Sequence, residues 1–348
     1  MARQTEAAAA RLHRCSIASP LLGPCGLTKA AVAEALPLWQ RKGLEIATNL
    51  GLGCDSFESM SPVHQRRIYQ YYLPVYFWLR LQLMAHRNQT DKQGPLIVGI
   101  SAPQGCGKST LCEQVEALFA SEGFTAASIS TDDFYLTRDQ QIAVASANPG
   151  NPLLEMRGNA GTHDLELGSR TLSALKGAQT RESMVSLPRY DKSAYQGKGD
   201  RAPASSWPQL QGPVDIVLFE GWGLGFSPIG ATAAAAVDPH LVPVDAALEK
   251  YKAAWDDAVD VWFVVKVGDP EYAYKWRLQA ERAMRNKGKP AMTDEQVVAF
   301  VDRFMPAYRA YLPGLYSQGP TTGGGGRVLV VEVDANREPV AQQPAPIA

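Results

Sequence analysis

The sequence predicts an α/β fold with a mostly parallel, five-stranded sheet. Five short apolar runs, rich in β-branched residues, are the strand candidates. They lie at residues 96–100, 126–130, 214–220, 260–267 and 327–333, with helical patterns between them. A glycine-rich loop follows the first run and leads into a helix predicted at Ser109–Ala120. This alternation of strands and helices is typical of a sheet that is covered by helices on both faces.

The composition excludes several classes of protein. The chain has 348 residues, a formal net charge of −1 and 45% hydrophobic residues. This balance argues against a general nucleic-acid binder, and no apolar stretch approaches the ~20 residues that span a bilayer. The five cysteines lack the spacing of a zinc site and are too sparse for a disulfide framework. We therefore expect a soluble monomer in a reducing compartment, with no nucleic-acid or membrane partner.

Residues 1–92 are predicted to hold an N-terminal tail and a helical region. The first 20 residues are rich in Ala and Arg and contain a single acid, which is compatible with the remnant of an organelle transit peptide or with a disordered terminus. One helix is predicted over Thr28–Leu50, and a second from Ser61 with Pro62 in its first turn. Pro74 is expected to kink the second helix without ending it.

The rest of the chain divides into a core, residues 93–335, and a C-terminal tail, residues 336–348. Within the core, residues 138–210 are rich in Pro, Gly, Asn and other polar residues. So long a weakly patterned insert is usually functional, and we expect it to carry the substrate site. Residues 269–292 have the charged helical pattern of a lid.

Residues 99–110, GISAPQGCGKST, carry all but one of the determinants of a phosphate-binding loop. The pattern G-x-x-x-x-G-K-[ST] fails only at its first glycine, where the chain has Ala102. Backbone N–H groups of such a loop cradle phosphate oxygens at the positive end of the following helix. Lys108 is expected to reach the β- and γ-phosphates, and the Ser109 hydroxyl to bind Mg²⁺. The expected nucleotide-binding residues are Gln104, Gly105, Cys106, Gly107, Lys108, Ser109 and Thr110.

A loop of this kind between a strand and a helix predicts a three-layer fold of the P-loop NTPase type that binds ATP and Mg²⁺. An Ala at position 102 is tolerated if φ is negative there. Cys106 within the loop leaves two explanations open. Oxidation of its thiol would block phosphate binding, or it is simply a small residue that fits the turn.

Acidic residues follow two of the predicted strands. Asp132 and Asp133 follow the second, and Glu220 ends the third. Ligands of parallel sheets bind at the carboxyl ends of the strands. There Asp132 could accept the proton of a substrate hydroxyl or hold Mg²⁺-bound water, and Glu220 could bind the metal. The predicted metal residues are Ser109, Asp132 and Glu220.

The segments GCGKST, TDDFY and FEGW together resemble the kinase superfamily of phosphoribulokinase, uridine kinase and pantothenate kinase. That superfamily phosphorylates hydroxyl groups of small molecules. The match places its catalytic base at Asp132 and leaves Asp133 at a variable position. The longer segments APQGCGKST, RGNAGTHD, PRYDKSAYQGKGDR, FEGWGLGF and FVDRFMPAYRAYL resemble the D-glycerate 3-kinases of plants and algae. This resemblance covers roughly residues 60–335.

The resemblance implies phosphorylation of D-glycerate to 3-phospho-D-glycerate, a reaction of photorespiration in the chloroplast stroma. A cytoplasmic protein of the fungal type is the alternative. The position of the phosphorylated hydroxyl follows from the resemblance alone. The loop near Asn336 is a candidate neighbour of the adenine ring.

A site for a small carboxylate needs cations and hydrogen-bond donors near the base. The polar insert supplies candidate substrate residues, which are Arg157, His163, Asp164, Arg189, Tyr190, Asp191 and Lys192. On the lid, Arg277 and Glu281 are spaced to form an ion pair. Arg277 and Arg282 are the candidates that stabilise charge on the transferred phosphoryl group.

Two alternatives remain open at this stage. The first is another kinase of the same superfamily, acting on uridine, pantothenate or a sugar phosphate. The second is a P-loop ATPase or assembly factor, which would hydrolyse ATP without any small-molecule acceptor.

Overall fold

The computed structural model describes residues 2–89, 93–323 and 327–341. Residues 342–348 of the predicted C-terminal tail lie outside the described residues. The strands, in chain order, are β1 (Leu96–Ser101), β2 (Ala126–Ser130), β3 (Met184–Ser186), β4 (Tyr190–Asp191), β5 (Asp200–Arg201), β6 (Gln209–Gln211), β7 (Ile216–Gly221), β8 (Val261–Val267) and β9 (Val328–Val333). The α-helices are α1 (Ala2–Ile17), α2 (Lys29–Glu34), α3 (Leu36–Asn49), α4 (Pro62–Arg66), α5 (Leu73–Arg87), α6 (Lys108–Ser121), α7 (Arg138–Ala147), α8 (Leu165–Gly177), α9 (Ala231–Val237), α10 (Leu241–Leu248), α11 (Tyr251–Ala254), α12 (Tyr272–Asn286), α13 (Asp294–Asp302) and α14 (Met305–Gln318).

The central sheet has the order β2-β7-β1-β8-β9, and all its neighbouring strands are parallel. The predicted five-stranded α/β fold is therefore confirmed. Every residue of β1 and β7 is buried, because helices cover both faces of the sheet. Gly99 in β1 allows a close approach, since a Cβ there would lie 2.7 Å from the Trp262 ring of β8.

Side chains alternate between two hydrophobic clusters on opposite faces of the sheet. Val98 and Phe263 pack with α6 and the N-terminal helices. Val217 and Trp262 pack with the helices α8–α14 on the other face. This alternation follows the two-residue period of a strand, and it gives the three-layer arrangement that the sequence predicted. No helix among the described residues is long and apolar enough to cross a membrane.

The N-terminal region is helical from its start. Helix α1 buries Leu12 and Ser16, so the alternative of a disordered terminus is wrong for this segment. The helix predicted over Thr28–Leu50 is interrupted at Ala35, which separates α2 from α3.

The second predicted helix begins at Ser61, whose hydroxyl accepts a hydrogen bond from the backbone N–H of His64. It passes through a π-helical segment, Arg67–Tyr72, directly before α5. Pro74, in the first turn of α5, has no N–H to donate, and irregular hydrogen bonding at this point is the expected accommodation. The prediction that the helix continues through Pro74 is confirmed.

The polar insert is more regular than its composition suggests. It contains α7, α8 and two small antiparallel pairs, β3 with β6 and β4 with β5. Its helices have local start signals, since a capping box of Thr137 and Gln140 opens α7 and the Asp164 side chain caps α8. The insert lies beside the carboxyl end of β2, where Tyr135 pairs with His163 in an isolated bridge.

Candidate active site

The phosphate loop joins β1 to α6 and depends on two left-handed glycines. Gly105 has a φ of +79° and Gly107 a φ of +94°, a conformation that side chains disfavour. A Cβ on Gly105 would also lie 2.7 Å from the Cβ of Trp276 on α12. Ala102, in contrast, is buried and donates its backbone N–H to Gly221 O at 3.1 Å. The φ of Ala102 is not positive, so an alanine in place of the first glycine of the motif does not disturb the loop.

Cys106 in the loop is a buried free thiol. Burial raises the pKa of this thiol, which disfavours the reactive thiolate. The burial favours the explanation that Cys106 is a small residue fitting the turn.

Lys108, Ser109 and Glu220 converge where β1 and β7 end. Lys108 Nζ lies 3.7 Å from Glu220 Oε2, and the Ser109 hydroxyl donates to Glu220 Oε1 at 3.4 Å. Burial alone would lower the pKa of Lys108, but Glu220 and the other acidic groups around it, including Asp132, together outweigh burial and raise that pKa. The lysine is therefore a permanent cation at the mouth of the loop.

The same residues fit a magnesium ion that is shared with nucleotide phosphates. Glu220 Oε2 is buried and accepts no hydrogen bond within the described part of the chain. In the described ranges there is also no group of three or more His, Cys, Asp or Glu side chains placed to hold a metal. Mg²⁺ commonly uses one or two protein oxygens, water and substrate phosphates, and a hydroxyl beside a carboxylate provides that donor set.

Asp132 and Asp133 have different roles in the turn that follows β2. Asp133 caps the turn, because its Oδ2 accepts the backbone N–H of Ser130 at 3.2 Å. Asp132 instead meets side chains of the insert. Tyr135 donates its hydroxyl to Asp132 Oδ1 at 2.7 Å, and Lys192 Nζ lies 2.5 Å from Asp132 Oδ2. Asp133 thus stabilises the turn, whereas both carboxylate oxygens of Asp132 face side chains outside the turn's backbone.

Burial of Asp132 opposes its charged form, but the positive charges of Lys192 and Lys108 act against that effect. Together with the hydrogen bonds from Lys192 and Tyr135, they lower the pKa of Asp132 to about 2. The carboxylate is thus ionised at neutral pH. A strongly stabilised carboxylate is a weak base, so movement of Lys192 away from Asp132 would make this carboxylate a stronger one.

An aromatic wall flanks this carboxylate. His163 stacks on Tyr135 with ring centroids 4.7 Å apart, and its Nδ1 lies 2.8 Å from the Tyr251 hydroxyl. That hydroxyl also accepts the backbone N–H of Gly161, which fixes the position of the Tyr251 side chain beside the imidazole. Burial lowers the pKa of His163 to about 4. The neutral ring lines a cavity of about 30 Å³, and its Nε2 has no hydrogen-bond partner among the described residues.

The other substrate candidates hold the insert in place. Arg157 donates to three backbone carbonyls, those of Lys192, Gly197 and Lys198, and lies over the Tyr190 ring. Asp191 accepts hydrogen bonds from the backbone and hydroxyl of Ser193.

Arg189 and Asp164 also have protein partners. Arg189 lies 3.4 Å from Asp133, and Asp164 lies 2.9 Å from Arg201. The structure thus brings His163, Tyr190 and Lys192 to the surroundings of Asp132. The remaining candidates, Arg157, Asp164, Arg189 and Asp191, instead bind groups of the protein around the site.

Helix α12 packs against the phosphate loop through Trp276. The expected pair of Arg277 and Glu281 is present at 2.6 Å, and Arg277 also lies over the Phe300 ring of α13. Arg282 binds Asp294 of α13 at 2.5 Å. Both candidate lid arginines are thus held by ion pairs in this conformation.

Two contributors near the loop, Arg337 and Trp276, were missed by the sequence analysis. Arg337 donates to Gly105 O at 2.6 Å and lies over the Trp276 ring. Nothing in the local sequence marks either residue, because the contact joins parts of the chain that are far apart. Asn336, the predicted adenine neighbour, accepts a hydrogen bond from Lys275 of α12 at 3.4 Å, so the lid helix contacts this turn.

The chain is similar to known kinases. The chain is 45% identical over 328 residues to the chloroplastic D-glycerate 3-kinase of Arabidopsis thaliana, covering 92% of this chain and 70% of that protein. It is 35% identical over 256 residues to an uncharacterised kinase of Schizosaccharomyces pombe, covering 71% of this chain and 90% of that protein. No protein-family model matches.

Among solved structures, D-glycerate 3-kinase from Cryptococcus neoformans superposes with a TM-score of 0.71 at 34% identity, covering 77% of this chain and 97% of that one. The phosphate loop and the acidic residue at a strand end agree with these extensive matches, and together they identify the family. The chain belongs to the D-glycerate 3-kinase family.

Proposed function

We propose that the protein transfers the γ-phosphoryl group of ATP to the 3-hydroxyl of D-glycerate, with Mg²⁺ as cofactor. The observation that carries the proposal is the position of Asp132. Its carboxylate lies at the same edge of the parallel sheet as Lys108 and Glu220, where a hydroxyl of a small substrate can meet a bound triphosphate. The identity to the Arabidopsis enzyme supports D-glycerate as that substrate.

In this mechanism the loop amides and Lys108 hold the β- and γ-phosphates. Ser109 and Glu220 would hold Mg²⁺, which would neutralise phosphate charge, and Asp132 is a further candidate through water. Asp132 takes the proton of the 3-hydroxyl as its oxygen bonds to the γ-phosphorus and the bond to the ADP oxygen breaks. His163 and Tyr190 contact the substrate, while Arg157, Asp164, Arg189 and Asp191 position the walls of the site.

Arg277 and Arg282 stabilise the transferred group after the lid closes. Both would first have to leave the ion pairs that hold them. Arginines in this role accelerate phosphoryl transfer by about 10³–10⁵-fold where they have been measured. Closure would also exclude water from the γ-phosphate.

We further propose a monomer in the plastid stroma, acting in photorespiration. The printed name of the plant relative supports the plastid, and the yeast relative keeps a cytoplasmic location as the alternative. A fluorescent fusion of the chain in a plant cell, imaged against chlorophyll, distinguishes the two locations. Light scattering on the purified protein gives the oligomeric state.

The decisive experiment incubates the protein with Mg·ATP and D-glycerate and identifies the product by NMR. We expect ADP and 3-phosphoglycerate in equal amounts. ADP formation at background level would refute the function, and 2-phosphoglycerate would refute the regiochemistry. Equal ADP production without glycerate would favour the ATPase alternative, and turnover with uridine or pantothenate would favour another kinase of the superfamily.

A further inference from the structure

We propose that Arg303 and Lys192 together bind the carboxylate of the substrate, and that this binding draws Lys192 away from the catalytic acid. The proposal rests on the D-glycerate kinase function proposed above and names the residues that recognise its anionic end. Arg303 lies between α13 and α14, and Lys192 lies in the loop between β4 and β5.

Three other arginines near the site, Arg157, Arg189 and Arg201, already have protein partners. The guanidinium of Arg157 is bound by the three carbonyls described above. Arg189 pairs with Asp133, and Arg201 bonds to Asp164 and to the carbonyl of Tyr135. Each of these arginines would have to break an internal contact in order to bind a substrate carboxylate.

Arg303 is different, because it is a half-buried guanidinium that forms no ion pair with the described carboxylates. It lies over the Phe300 ring at 5.1 Å and interacts electrostatically with Arg157, Glu155 and Tyr135. Burial and the like charge of Arg157 together outweigh Glu155, so the pKa of Arg303 is lowered. A partly buried cation with no carboxylate in direct contact is incompletely compensated, and an anion bound beside it would reduce that cost.

The backbone places this guanidinium at the substrate loop. The carbonyl of Arg303 accepts a hydrogen bond from the Asn159 side chain at 3.0 Å. The next residue, Phe304, packs so closely on Gly158 that a Cβ there would lie 2.6 Å from its ring. The segment between α13 and α14 is thus docked on the RGNAGTHD loop, on the side that Tyr135 and Arg157 share.

Lys192 forms an ion pair with Asp132, the acid that must accept the proton of the substrate hydroxyl. Its Nζ lies 2.5 Å from Asp132 Oδ2, on a side chain that is 58% exposed. While the ammonium holds that oxygen, it competes with the substrate hydroxyl for the carboxylate. The flexible stem of a lysine allows its charge to move to a new partner, and the substrate carboxylate is such a partner.

The chemistry of the substrate matches this spacing. In D-glycerate, two carbon–carbon bonds of about 1.5 Å each separate the carboxylate carbon from C3. When the 3-hydroxyl contacts Asp132, the carboxylate therefore stays within a few bond lengths of it. A lysine released from Asp132 can therefore still reach the substrate carboxylate, and Arg303 is the second cation that binds it.

The test compares D-glycerate with its uncharged amide, D-glyceramide, as acceptors for wild type, Arg303→Gln and Lys192→Gln. Hydrogen bonds to charged groups predict a rise in KM for D-glycerate of about 10- to 100-fold in each variant. The amide lacks the charge, so Arg303→Gln should lower its kcat/KM much less than that for D-glycerate, and Lys192→Gln should raise it by freeing Asp132 from the ion pair. Arg303→Lys should recover part of the D-glycerate affinity because it keeps the positive charge.

Matched controls are Arg309→Gln and Lys252→Gln, which remove exposed cations whose partners, Glu271 and Asp257, lie outside residues 138–210. They should leave both acceptors unaffected. A KM for D-glycerate within twofold of wild type in both site variants would overturn the proposal. Equal losses with the acid and the amide would also overturn it, because they would indicate a structural role. A wild-type protein inactive on D-glycerate would instead overturn the proposed function itself.

Discussion

Replacing Asp132 by Asn tests the catalytic centre with little disturbance of the fold. The amide oxygen of the new side chain can still accept the Tyr135 hydroxyl, which lies 2.7 Å from Asp132 Oδ1. The ion pair with Lys192 is lost, but it joins side chains that are 58% and 28% exposed. Pairs of this kind contribute about 0–1 kcal/mol. We therefore expect a small change in the free energy of unfolding.

The effect on catalysis should be much larger. General-base assistance contributes about 10²–10⁴-fold, which corresponds to about 3–5 kcal/mol of activation free energy. Nucleotide binding should be nearly unchanged, because the substitution leaves the contact of Lys108 with Glu220 intact.

The assay combines steady-state turnover with D-glycerate, calorimetric titration with ATP and thermal unfolding. Asp133→Asn is the matched control, since Asp133 caps the turn and pairs with Arg189. A kcat for Asp132→Asn within tenfold of wild type, with ATP affinity retained, would refute Asp132 as the base. Loss of ATP binding in the same variant would refute the separation of the two sites.

Three further predictions concern pH and the phosphate loop. The buried His163, with a pKa of about 4, is neutral in the folded state at neutral pH. The free energy of unfolding should therefore fall by about 3 kcal/mol as pH drops from about 6.5 to 4. In His163→Gln, the free energy of unfolding measured with denaturant should depend less on pH, and an unchanged pH dependence would contradict the assignment. Asp256, hydrogen-bonded by Thr321, has its pKa raised to about 7 by burial. Its contribution to stability is present below about pH 4 and lost as pH rises through 7, and Asp256→Asn should remove this dependence. Gly105→Ala should weaken ATP binding at least about tenfold in calorimetry. The new Cβ would meet Trp276, and the φ at this position is positive. Wild-type affinity in this variant would contradict the described loop.

The sequence determined the sheet and the nucleotide end of the site. Strand and loop signals are local, so the run at 96–100, the glycines after it and the acids at 132 and 220 could be interpreted without tertiary information. Parallel strands end at one edge of a sheet, which is why acids at two strand ends predicted a shared site with Lys108. The same local reasoning failed for α1, whose Ala/Arg-rich composition hides the few apolar side chains that bury against the helices that follow.

Only the tertiary structure decided which groups surround Asp132. Lys192 lies 60 residues from it in the chain, and Arg303 lies in another helical segment, so no spacing rule could connect them. From the sequence, the Arg and Lys residues of the insert could not be distinguished, because all carry the same charge. Burial and partners distinguish them, because Arg157 and Arg189 have internal contacts and Arg303 forms no ion pair with the described carboxylates. The packing of distant segments, which a local pattern does not encode, therefore determines how the substrate end of the site is built.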